Sequence, residues 1–202
     1  MGTTITGEAL HEQGRDGARR AKRWLDATSR VEACWVNPDN GAAQKLTFVW
    51  PQGGQSFSFD LGGWLRYGSF EGQMFFAEVK KYANASDLGG HYTEFLAKCY
   101  VAYQSRPHYT DHFMWVSWAP HASTRWESLT TPRKVHEAVS AQAGRIFPAG
   151  TDPEDAVDQA VCKAVSERLW LLILSDKQEV LVPTVEHLNL IHSHERVKAA
   201  GA

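Results

Sequence analysis

Cysteine is scarce and scattered. The three present, Cys34, Cys99 and Cys162, form no C-x-x-C pair, which argues against both a disulfide framework and a thiolate zinc site. A long apolar run is missing too. The longest, LWLLIL from Leu169 to Leu174, falls far short of the roughly 20 residues a membrane-spanning helix needs. The opening MGTTITGEALHEQGRDG has no apolar stretch of the kind a secretory signal carries. These absences predict a soluble chain held in the reducing cytoplasm, with no membrane partner. An excess of charge of one sign is also lacking: 21 Lys and Arg stand against 23 Asp and Glu, a formal net charge of -2. A globally basic nucleic-acid binder is thereby excluded, so any polyanion must be met by a local patch. Internal repeats and low-complexity segments are absent as well.

What is there suffices for one core. With 202 residues, 43% of them hydrophobic and eight of them Trp, nothing in the length requires more than a single domain over 1–202. From Gly7 to Ala27 apolar and small residues recur at intervals of three and four, predicting a helix capped by Thr6. VEACWV and KLTFVW read as strands around the turn NPDNG. QSFSFDLGGWLRY and QMFFAEVKKY follow as a hairpin joined by GSFEG. Helical spacing returns from Leu88 to Arg106 and stops at Pro107, and HFMWVSWAP is a further strand. Pro132 and Pro153 each open a helix behind a capping Thr or Asp, and LWLLILSDKQEVLVPT reads as a late hairpin. This order predicts an α/β fold with a mixed central sheet flanked by helices, additional C-terminal helices and a late β-hairpin.

The informative stretch is FAEVKKY, Phe76 to Tyr82, where a carboxylate and two ammonium groups enter an apolar strand. Alternation puts Phe75, Ala77 and Val79 on one face, with Glu78 and Lys80 on the reverse. In the preceding strand it puts Phe57, Phe59 and Leu61 on one face and Ser56, Ser58, Asp60 and Gly62 on the other. Paired as a hairpin, the two strands present Asp60, Glu78 and Lys80 to one side. Two carboxylates within about 4–6 Å repel, a cost relieved by a hard divalent cation between them, Mg²⁺ or Mn²⁺. An ammonium two residues beyond can reach an attacking water or a scissile phosphate. Together these are the parts of metal-assisted phosphodiester hydrolysis.

FDLGG followed by FAEVKKY resembles the PD-(D/E)XK nuclease superfamily, which includes many restriction enzymes and archaeal Holliday-junction resolvases. The likeness covers roughly the first half of the chain. It implies a restriction-endonuclease-like αβββαβ core and carries the catalytic acid, the E-x-K acid and the lysine onto Asp60, Glu78 and Lys80. Asp60 and Glu78 would be the metal ligands. GRDGARRAKRWL, Gly14 to Leu25, resembles the G-R-x-G-E-x-x-A-x-x-Y-L helix of small members. Ala18 stands where those members carry a glutamate; Glu12 or Glu8, earlier on the same helix, can replace it, and Glu12 is preferred. Phe59 stands in the place of the usual proline before the first acid. The activity implied is a Mg²⁺-dependent endonuclease acting on DNA, in restriction or antiviral defence.

Plainer readings stand beside these. An E-x-K motif on a strand also arises where Lys and Glu keep a sheet edge from pairing with other chains. Arg15, Arg19, Lys22 and Arg23 form a helical stripe fit for backbone phosphates or for plain solvation. Lys81 and Tyr82 either touch the strand being cut or merely end the β-strand. HSH at His192–His194 and HYTDH at His108–His112 lack a converging ligand set, so zinc is not expected. A nuclease-like fold without turnover, serving as a binding or scaffold subunit, is the alternative function. RNA is not separable from DNA by a site that sees only phosphate. Cutting both strands calls for a homodimer, a second nicking event or a targeting partner.

Overall fold

In a computed structural model of the chain, residues 7–39, 41–81, 88–120 and 122–201 are described, with side chains from residue 14 onward. The chain opens with helix α1, Gly7–Ala27, then strand β1, Val31–Val36. A short helix α2, Ala42–Leu46, leads into a small hairpin of β2, Thr47–Val49, and β3, Ser56–Ser58. Strands β4, Leu61–Leu65, and β5, Met74–Lys80, are followed by helix α3, Leu88–Ser105, and strand β6, His112–Ser117. Helices α4, Pro132–Ala141, α5, Ala143–Ile146, α6, Pro153–Ala156, and α7, Gln159–Ser166, precede strand β7, Leu169–Ile173. Helix α8, Val185–Ala200, comes last.

Five strands form one mixed sheet in the order β1-β4-β5-β6-β7. The first three pair antiparallel, and β5-β6 and β6-β7 pair parallel. A parallel step needs a crossover, and α3 supplies it between β5 and β6. Helices cover both faces of the sheet. On one, Ala18, Ala21 and Leu25 of α1 pack on Ala33, Leu61, Phe75, Ala77, Val79 and Val116. On the other, α3, α4 and α7 pack on Phe76, Phe113 and Trp115, and Phe48, Phe57 and Phe59 complete that core. Because both faces are covered, β5 is buried from Met74 to Val79. Gly63 permits the pairing of β1 with β4: a Cβ there would lie 1.9 Å from the Glu32 carbonyl, where the register shifts.

Three expectations need correction. Phe57, Phe59 and Leu61 do not share a face, since Phe59 joins the α3 core and Leu61 the α1 core. The run QSFSFDLGGWLRY breaks at Asp60, where the chain leaves β2 and takes β5 as its partner: the Phe59 amide donates to Leu46 and the Asp60 amide to Ala77. Lys45 and Leu46, read as the start of a strand, lie in α2. The late hairpin does not form. β7 pairs in parallel with β6, and residues 178–181 make a 3₁₀ turn with Val180 and Leu181 each 81% exposed. Glu179 of this segment is instead held by Arg20 of α1 and the Trp118 indole, at 2.9 and 3.0 Å, which places it against α1 and not in a ladder. α8 has no counterpart in the sequence reading, although Thr184 caps it by accepting from the His187 amide.

Candidate active site

Asp60 sits at the bend between β3 and β4, and its Oδ2 accepts the Val79 amide at 2.7 Å. That bond ties the carboxylate to β5 between Glu78 and Lys80. Glu78 points toward α3, and its residue is only 4% exposed. A bare carboxylate so placed would be costly. It is met by two ammonium groups: Lys80 Nζ at 2.7 Å from Oε1, and Lys98 Nζ of α3 at 3.3 and 3.4 Å from the two oxygens. Asp60, Glu78 and Lys80 thus gather at the carboxyl-terminal end of β5, and Lys98 joins them.

β5 is the third of five strands. The charges of E-x-K therefore do not guard a sheet edge, and a central strand holds them only because partners from α3 and the Asp60 bend are built around them. Burial, and then the negative charge of Glu78, push the Asp60 carboxyl from 3.8 up to about 7, with Lys80 opposing. Burial also works against ionisation of Glu78, but Lys80 and Lys98 outweigh it and hold that carboxyl below its ordinary value. Glu78 is the fixed anion of the pair and Asp60 the one that titrates.

The sign of the resulting pH dependence follows. Between about 3.8 and about 7 the folded chain keeps a proton on Asp60 that the unfolded chain releases, so stability falls as pH rises through that window. Asp60→Asn retains an oxygen for the Val79 amide and carries no charge. At pH 8 it is expected to melt above the wild type, by on the order of 2 kcal/mol or roughly 4–8 °C. The gap should close below pH 4, and calorimetric melts across that range check it.

Lys98 does not stand out in the sequence; its role shows only in the structure. Apart from His91, α3 carries only Glu94 and Lys98 as acidic or basic residues, and Lys98 is flanked by Ala97 and Cys99, both fully buried. A cation in such a run needs an anion across the interface. Lys81 lies on the opposite face from Lys80 and bonds Asp16 of α1 at 2.5 Å. Gly17 lets the helix come close, since a Cβ there would stand 3.1 Å from that of Lys81. In the basic stripe, Lys22 bonds Asp26 and the Ala33 carbonyl and Arg23 meets Glu179 at 3.3 Å, while Arg15 and Arg19 remain exposed. Glu12 lies in α1, but its side chain and Tyr82 fall outside the described residues. His112 is a core residue: the Trp170 indole donates to its Nδ1, and its Nε2 faces Gln73.

Asp60 and Glu78 are the two carboxylates of the cluster that could hold a divalent cation. Two carboxylates, one destabilised by the charge of the other, offer oxygen ligands of the kind Mg²⁺ and Mn²⁺ take. Among the described residues no group of three or more His, Cys, Asp and Glu is placed to hold a metal. No helix among the described residues is long and apolar enough to cross a membrane. Comparison of the chain with protein-family models, with curated proteins and with solved structures finds no significant match.

Proposed function

We propose that the chain is a metal-dependent endonuclease of the PD-(D/E)XK type, hydrolysing phosphodiester bonds of DNA. The observation that carries the reading is the meeting of Asp60, Glu78 and Lys80 on a central strand, with the Lys80 ammonium 2.7 Å from Glu78. The order of helix, antiparallel meander, helix and parallel strand is the one that the resemblance implies, and supports it.

Asp60 and Glu78 would hold the Mg²⁺ or Mn²⁺, which when bound supplies a polarised phosphoryl oxygen and a more acidic water. Lys80 orients the attacking water and screens the charge that grows on the phosphate. Lys98 keeps Glu78 ionised and aimed while Lys80 turns to the substrate. Glu12 is the candidate further acid from α1. Two-strand cleavage would call for a homodimer, a second nicking event or a partner that supplies targeting.

A second reading has its own observation. Glu78 is already held by two lysines and Asp60 titrates near neutrality, a nearly balanced cluster that suits phosphate binding without turnover. Incubation with supercoiled plasmid, single-stranded DNA and RNA in parallel separates the two. Cleavage in magnesium that a chelator stops supports the nuclease; retention of polymer with no cleavage in magnesium or manganese supports the binding subunit.

A further inference from the structure

We propose that a basic recess between α3, residues 123–128 and α4 seats the phosphodiester backbone of the strand whose reacting bond lies at Asp60, Glu78 and Lys80. The inference rests on the nucleic-acid reading above. The recess has a volume of about 200 Å³, and its polar lining is three cations, Arg125, Arg133 and Lys134, against one acid, Glu137, with Tyr92 and Ser128 beside them. Arg125, Ser128 and Arg133 also line a shallower hollow of about 640 Å³ beside it.

The placement of these cations leaves room for an anion beside them. Arg133 and Lys134 stand in the first turn of α4, a turn without an acid, where the aligned peptide dipoles disfavour positive charge and favour anions. Both lean on Glu137, at 3.0 and 3.1 Å, and Arg133 is still 79% exposed. Arg125 is exposed opposite them. Gly89, in the first turn of α3, has no atom of the described residues within 4 Å of where a Cβ would stand.

Position links the recess to the acids. Ser117 is the register partner of Lys80, and the Trp118 amide donates to the Lys80 carbonyl, so residues 123–128 follow directly from the site's end of the sheet. Tyr92 of the recess packs edge-on against Trp115, ring centres 5.2 Å apart, and Trp115 is the register partner of Glu78. One indole thus separates the recess wall from the strand position that carries Glu78. Sugar and base play no part in phosphate contacts, so DNA and RNA are both tested.

Fluorescence anisotropy on labelled 20-mers of single-stranded DNA, duplex DNA and RNA, in chelator and over a range of salt, measures binding apart from cleavage. For the bound polymer, Arg125→Ala/Arg133→Ala/Lys134→Ala is expected to weaken affinity at least about ten-fold. It should also flatten log K against log salt by about two to three. Glu137→Gln, which releases two cations, should tighten binding about two- to five-fold at low salt. Arg196→Ala/Lys198→Ala removes exposed charge from α8, which reaches Tyr67 and Arg30 at the far end of the sheet, and should leave binding within about two-fold of wild type. Wild-type affinity and salt slope in the triple variant would overturn the recess while leaving the nuclease reading intact. A wild type that binds none of the polymers would overturn both.

Discussion

Lys80→Ala is expected to slow cleavage by a factor of about 10² to 10⁴, as loss of a general acid/base or charge-screening group does. Lys81→Ala should keep near-normal turnover. The two residues are chemically identical and adjacent, yet the Lys80 ammonium lies 2.7 Å from Glu78 on the α3 face, whereas Lys81 crosses to Asp16 of α1. Only strand parity separates them. Lys98 remains on Glu78 when Lys80 is removed, so the folded state survives and melting curves serve as the control. Equal losses at both positions would mean diffuse attraction of phosphate, and no loss at either would remove Lys80 from the chemistry.

Glu78→Gln is expected to cost about 3 kcal/mol or more of stability, because truncating one partner of a buried charge cluster strands the others. Here it takes the shared carboxylate charge away from two ammonium groups, Lys80 and Lys98, whose side chains are only 15% and 12% exposed. For a chain of this size that corresponds to a fall in Tm of roughly 6–12 °C. Replacing Lys98 by Met in the same background should recover part of the loss, since one of the stranded charges is then gone. A double-mutant cycle over Glu78 and Lys98 isolates their coupling. A loss under about 1 kcal/mol for Glu78→Gln would show that water, not protein, satisfies that carboxylate. Asp60→Asn and Glu78→Gln thus move stability in opposite directions at pH 8, although each removes one carboxylate from the same site.

The sequence shows these acids because a β-strand tolerates charge only where something answers it. Alternation alone puts Glu78 and Lys80 together, and spacing alone bounds α1 and α3 to within a residue of their ends. The route by which Asp60 arrives is not legible. Simple alternation carries it there as part of an unbroken strand, whereas the chain in fact bends at Asp60 and anchors it through the Val79 amide. A change of pairing partner leaves no periodic trace. Lys98 was hidden for a related reason: in a helix whose apolar residues point in many directions, one lysine reads as a solvated position until the opposing strand is known. In place of the late hairpin, Glu179 meets a long-range partner, Arg20, separated by 159 residues. Charge pairing at that distance overrides local strand propensity, and no window of sequence contains it.

The central claim is that Asp60 and Glu78 share a divalent cation. Isothermal calorimetry of Mn²⁺ into the wild type and Asp60→Asn at pH 8, where Asp60 is ionised, tests it most directly. The account predicts saturable binding to the wild type and affinity at least about ten-fold weaker, a difference of about 1.4 kcal/mol or more, in the variant. Equal affinity in both proteins, or no binding heat in either, would contradict it.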